Sequence, residues 1–198
     1  MPAGDASGDD QPRDGLPASD LRRMEKRLLK EADRSLATLG REGYPVPLAG
    51  HRRYPWGSNS AVVNRMLLLG TAYDTTGDEK YLRGAHRSMD YLMGNNAMRL
   101  GYVTGYGERS ETDLHDRLAW GAYPKTPYPA GWLSGGPNNT LINDTATPKS
   151  RPAAKSYAGK GTAPAAWGSK ENTVNWNAPL VWVAAFLDRT ARELTPPS

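Results

Sequence analysis

Cysteine is absent from this 198-residue chain, which rules out disulfides and thiolate metal sites and leaves the redox compartment open, since a secreted protein need not use them. Phenylalanine is reduced to one residue. No apolar run reaches the ~20 residues of a membrane span, so no membrane association is expected. Charge of one sign is lacking too: 25 Lys and Arg against 21 Asp and Glu leave +4. The signs are interleaved, as in RRMEKRLLKEADR at 22–34, which reads as a solvated helix face and not as a nucleic-acid surface. No signal peptide is visible either, because Pro, Gly and Asp occupy Met1 to Ala18 where an apolar h-region would be needed.

What is present is led by rings. Six Trp and ten Tyr stand beside the one Phe, and both ring types join a flat apolar face to a polar handle. That combination suits sugars, whose axial C–H groups stack on indoles while their hydroxyls take hydrogen bonds. It suits equally well rings packed at the wet edge of a core. The length is enough for one domain with a real core.

Residues 1–18 carry Gly, Pro and Asp without periodicity and are expected to form a disordered leader, followed by one domain over 19–194 and a short tail over 195–198. Leu21, Met24, Leu28, Ala32, Leu36 and Leu39 make one helical stripe, with Ser19 or Asp20 as cap and Gly40 as stop. Ser58 or Asn59 is placed to cap a second helix through Ala61, Val62, Val63, Met66, Leu67, Leu69 and Tyr73, apolar around most of its circumference. Asp78 starts a third through Tyr81, Leu82, Ala85, Met89 and Leu92, stopped by Gly94. About seventy residues rich in Gly, Pro, Asn and Thr follow, with GYVTGY as their one strand-like piece, and a loop region that long is normally functional or disordered. A last helix from Pro179 through Leu187 is almost unbroken in its hydrophobicity, which predicts burial on more than one side. Glu171 stands at its mouth beside Trp176, Asn177 and Ala178 as a candidate proton donor. The fold class expected is all-α, with its loops gathered at one face.

Several stretches, read in order, resemble glycoside hydrolase family 9: GYPVPL at 43–48, YPWGSNS at 54–60, LLLGTAYDTTGDEKYL at 67–82, MDYLMGNNAMRLGYVTGYGERS at 89–110, HDR at 115–117, PYPAGWLSGGPNN at 127–139 and WGSKENTVNWNAPL at 167–180. The resemblance implies an inverting cellulase, an endoglucanase acting on β-1,4-glucan or cello-oligosaccharides, extracellular, and built as an (α/α)6 barrel. This chain corresponds to the C-terminal portion of that catalytic domain, a partial barrel with long active-site loops. The family's histidine signature maps onto Val103, Thr104, Gly105, Gly107, Arg109, His115 and Arg117. By that resemblance His115 and Arg117 hydrogen-bond the sugar beside the scissile bond, as imidazole and guanidinium donors are suited to do. The second signature, an aromatic four residues before the acid and an Asn six after it, is met by Trp167, Glu171 and Asn177. Glu171 thereby inherits the general-acid role, and apolar surroundings from Trp167 or Trp176 would help it hold a proton. Trp56, Tyr106, Trp120 and Trp167 are candidate stacking platforms.

The chain also departs from the family pattern. Inverting hydrolysis needs a second carboxylate as base, about 6.5–9.5 Å from the acid, and the family's DAGD motif that supplies it is not matched here; AGD at Ala3 to Asp5 lies in the Gly-rich leader. Asp113, Asp116 and Asp144 are available acids without a motif that makes any of them the base. The chain alone is therefore expected to be inactive without the missing N-terminal barrel half. The alternative is a non-catalytic remnant that binds glucan or packs on a partner. With that half missing, the apolar faces of Val62 to Tyr73 and Leu180 to Leu187 are expected to meet solvent unless a partner covers them. Tyr157 lacks the Asp that usually follows it, so a supporting carboxylate is expected to be lost. The usual Asn before the acid is Lys170, whose ammonium next to Glu171 would favour the ionised carboxylate. Asp116 replaces a common second His. No cofactor is expected, and Asn138, Asn139, Asn143 and Asp144 are too sparse a set of oxygens to argue for calcium.

Overall fold

The computed structural model describes residues 15–48, 53–119, 128–140, 143–149 and 152–194. The leader and tail expectations fall mostly outside these, although helix already begins at Ala18. Among the described residues, four long helices and one short turn of helix carry the fold: α1, Ala18–Leu39; α2, Ser58–Thr76; α3, Glu79–Leu92; α4, Trp167–Lys170; and α5, Val174–Leu194.

Helix α2 is the axis of the packing, meeting α1, α3 and α5, while α1 also touches α3. Its Val62, Val63, Met66, Leu69 and Ala72 are all fully buried, as its near-continuous apolar sequence requires. The expectation that this helix would meet solvent is overturned, because its three neighbours cover it. Its start also differs from the sequence reading. The cap is Gly57 in the left-handed conformation, φ 69°, and Ser58 and Asn59 lie inside the first turn, fully buried. At its other end Gly77, again with φ 69°, turns the chain, and Asp78 caps α3 by accepting from the Lys80 amide at 3.0 Å.

Helix α1 starts after Pro17 with no side-chain cap; Asp20 instead pairs with Arg23 in the first turn. The stripe it buries runs through Ala32, Ser35 and Leu39, with Leu29 and Leu36 packed alongside, and Met24 stands outside it, exposed. Helix α3 lays Tyr81, Leu82, Ala85, Tyr91 and Leu92 on the core as expected. Tyr54 closes that core from the loop before α2, and burial, reinforced by the charge of Glu42, pushes its hydroxyl up to about 12.

Helix α5 begins at Val174, so Pro179 lies inside it, offering no amide to the carbonyl one turn back. Asn177 steadies that first turn by donating from Nδ2 to the Thr173 carbonyl at 2.7 Å. Burial is confined to one stripe, Trp176, Leu180, Val183, Phe186, Leu187 and Thr190, whose three-and-four spacing faces α2. The opposite side is exposed, with Val174 at 86% and Val181 at 69%, which corrects the expectation of burial on several sides. Trp182 stacks on Phe186 with ring centroids 5.4 Å apart and leans over Gly70 of α2, where an added Cβ would stand 2.9 Å from the indole.

The stretch GYVTGY forms no strand. Among the described residues, β pairing is limited to isolated bridges, Gly101 with Ser110, Val103 with Leu133 and His115 with Glu171. The one-sided burial of α5 gives a sharp contrast between neighbours. Leu180→Ala is expected to lower the unfolding free energy by about 2–5 kcal/mol, whereas Val181→Ala should change it by less than about 0.5 kcal/mol. Urea titration of both variants measures the difference, and equal losses would contradict the exposed outer face.

Candidate active site

Glu171 is held by backbone on three sides. It caps the C-terminus of α4 in an extended conformation, with its amide on the Trp167 carbonyl at 3.3 Å. Its own carbonyl accepts from the Gly135 amide at 2.9 Å, and the preceding carbonyl, of Lys170, accepts from His115 at 2.8 Å. The Gly135 carbonyl in turn takes the Asn59 amide at 3.0 Å, so the loop at 133–136 is clamped between the start of α2 and the acid. The pairing of His115 with Glu171 is a parallel bridge, and bridge partners point to the same side of the backbone. Two side chains separated by more than fifty positions in sequence are thereby neighbours, both half-buried.

The ring that meets the Glu171 carboxylate is Trp56, whose indole Nε1 donates to Oε2 at 3.0 Å. Trp56 is 46% exposed, and its inner edge rests on buried Trp176 with centroids 5.3 Å apart. Gly57 makes that contact possible: an added Cβ would lie 2.9 Å from the Trp176 ring, at a φ that side chains rarely adopt. Trp167 is half-buried, and its carbonyl accepts from the Glu171 amide. Arg117 is exposed and opens a short helical turn whose Leu118 and Ala119 amides, each at 3.0 Å, donate to Asp116 Oδ1. Tyr106 belongs elsewhere, lining a hollow of about 300 Å³ with Met89, Met93, Val103, Leu180 and Val181. Trp120 lies outside the described residues.

Lys170 corrects the reading of its neighbour. Its side chain is 1% exposed and turns inward, away from Glu171, to Glu111 Oε2 at 3.0 Å, Asp113 Oδ2 at 3.3 Å and the Asp113 carbonyl at 3.1 Å. All three ammonium protons have acceptors. Glu111 is equally satisfied: Oε1 accepts from the Thr112 and Asp113 amides, each at 2.8 Å, and Oε2 from Lys170 and the Tyr157 hydroxyl at 2.5 Å. The carboxylate expected to be missing at Tyr157 is thus supplied by Glu111, and burial together with that negative charge holds the phenol well above its ordinary range. Nothing in the spacing of Glu111, Tyr157 and Lys170 announces this cluster; the one signal in the sequence was a Lys where the family usually has Asn before the acid.

The other acids are also engaged. Asp144 is buried and caps α4, accepting from the amides of Ala146 at 2.7 Å, Thr147 at 2.8 Å and Gly168 at 2.5 Å and from the Thr147 hydroxyl at 2.7 Å. Burial is the largest single influence on it and raises its affinity for a proton, but these four donors together outweigh burial and hold its carboxyl below the usual range. Asn172 Nδ2 reaches Asp116 Oδ2 at 3.4 Å. Among the described residues, no three His, Asp or Glu gather as metal ligands.

Residues 19–184 match the family model described as glycosyl hydrolase family 9. A cellulose 1,4-beta-cellobiosidase of Acetivibrio thermocellus is 42% identical over 193 residues, covering 92% of this chain and 21% of that protein. Endoglucanase C of Cellulomonas fimi is 39% identical over 72% of the chain and 13% of its own length. Among solved structures, a Bacteroides ovatus protein of the same family superposes with a TM-score of 0.72 at 32% identity, over 91% of this chain and 31% of that one. A metagenome-derived family 9 endoglucanase gives 0.72 at 30% identity, over 86% and 30%. The chain thus spans about a fifth of the first of these relatives and about a third of the solved structures.

Two stability effects follow from the buried charges. Lys170→Met would strand the Glu111 carboxylate in the interior and is expected to cost about 3–5 kcal/mol, read from chemical denaturation at neutral pH. For Asp144, whose folded carboxyl titrates below its unfolded value, the contribution is complete above about pH 4 and disappears as pH falls through the lower folded value. The stability gap between wild type and Asp144→Asn should stay constant near neutrality and narrow on acidification. A gap that widens in acid would reverse that sign.

Proposed function

The chain belongs to glycosyl hydrolase family 9, and from that premise we propose that it is the acid-bearing part of a cellulase-type catalytic domain cutting β-1,4-glucan with inversion. Its helices are part of an (α/α)6 barrel. In this reading Glu171 protonates the departing glycosidic oxygen while His115 and Arg117 hold the adjacent sugar. Trp56 offers its exposed face as a stacking platform, and Trp167 at the start of α4 is a second one. What carries the reading is the bridge that sets His115 beside Glu171, with the Trp56 indole on the same carboxylate.

The geometry supports the division of labour in physical terms. A donor placed on a backbone-clamped loop needs little reorganisation when it acts. An exposed indole beside it gives a sugar ring an apolar face within reach of the acid. The described carboxylates nearby, Asp113, Asp116 and Asp144, are occupied by amides, hydroxyls or Lys170, which leaves the base to a companion segment. The exposed outer face of α5 and the apolar hollow holding Tyr106 suit the docking of that segment better than they suit sugar hydroxyls. Among the described residues no helix is long and apolar enough to cross a membrane, and an extracellular setting is part of the proposal.

The chain alone is expected to release no reducing sugar from carboxymethylcellulose, yet to be retarded in affinity gels containing soluble β-1,4-glucan. Trp56→Ala should weaken that retardation about three- to tenfold, the loss of one ring contact. Adding a polypeptide that carries the family's base segment should bring hydrolysis, abolished by Glu171→Gln. Sugar release that survives Glu171→Gln, or an unretarded wild-type chain, would overturn the assignment.

A further inference from the structure

We infer that Lys170 and Asp113 are positioning residues that set the tautomer of His115. The geometry forms one continuous path. The imidazole Nδ1 of His115 lies 2.7 Å from the Ala163 carbonyl oxygen. A carbonyl can only accept, so this nitrogen carries a proton, and in the neutral ring Nε2 is the acceptor. The short segment that presents this carbonyl is fastened by Asp113, whose Oδ2 accepts from the Gly161 amide at 2.7 Å and the Thr162 amide at 3.1 Å. The same oxygen faces the Lys170 ammonium at 3.3 Å, and the Asp113 carbonyl takes a second ammonium proton at 3.1 Å.

Lys170 therefore acts on both sides of the paired histidine and acid. Through its carbonyl it accepts from the His115 amide, and through its ammonium it anchors the residue two positions before His115. Its ammonium orients Asp113, Asp113 holds 161–162, and 162's neighbour holds the imidazole. Glu111 supplies the counter-charge that lets the ammonium stay buried, and Tyr157 closes the cluster with its ring 5.4 Å from the ammonium. A ring fixed in one tautomer presents one defined acceptor and donor arrangement to a sugar hydroxyl, which on the hydrolase reading proposed above is what His115 is for. The inference rests on that reading for its purpose, but the tautomer is a property of the chain by itself.

The test is nitrogen-15 NMR of the intact chain at about pH 8, above the ordinary histidine range, with exposed His86 on α3 as internal reference. Wild-type His115 should show a protonated Nδ1. In Lys170→Met the ratio of the two tautomers should move about fivefold toward Nε2–H, the size expected for weakening one ordinary hydrogen bond, with His86 unchanged. Should that variant fail to fold, Asp113→Ala, which leaves the Lys170–Glu111 pair in place, should give the same displacement. Wild-type nitrogen shifts at His115 in a folded Lys170→Met or Asp113→Ala chain would refute the positioning role. A displaced tautomer with unchanged retardation on soluble β-1,4-glucan would uphold the positioning role and remove His115 from sugar binding.

Discussion

One buried ammonium governs the architecture around the acid. Removing Lys170 Nζ from water carries a desolvation penalty that only a full set of acceptors can offset, and the chain provides it from two carboxylates and a carbonyl. Because the acceptors come from 111–113 and the ammonium from the residue before Glu171, satisfying that charge brings the histidine loop to the acid loop. The backbone pairing of His115 with Lys170 and Glu171 then follows with little further freedom.

The helices serve this arrangement from beneath. Helix α2, covered on three sides, places Trp56 and Gly57 at its start against Trp176 at the start of α5, so the two helix openings that frame the acid are locked by one pair of indoles. Asp144 fixes the short helix α4 from a remote loop by accepting its Gly168 amide. Glu171 is thus supported by a capped turn on one side and a long helix on the other, which places it rigidly.

The outward side of α5 has the opposite character. Its inner stripe is saturated by α2, while Val174, Val181 and Trp182 remain exposed. The chain spans about a third of the solved family structures, and an exposed apolar face of this kind is the chemistry a protein contact uses. Its apolar chemistry contrasts with the polar, backbone-clamped surroundings of Glu171.

Local pattern determined the existence of the four long helices, because apolar recurrence at three and four positions is a property of the chain itself. Glu171, His115 and Trp56 were singled out by the resemblance to family 9 segments that stand in the same order along the chain, not by periodicity. Caps were less legible: Ser58 and Asn59 look like helix starters, but a glycine with positive φ was better placed to turn the chain against Trp176. Burial of α5 was misjudged because hydrophobicity reports how much a helix can bury, and only its neighbours decide which face it does bury. The inward turn of Lys170 and its satisfaction by Glu111 and Asp113 belong wholly to the tertiary structure. An ion pair between residues 59 positions apart has no periodicity to betray it, since it depends on which loops the folded helices hold side by side.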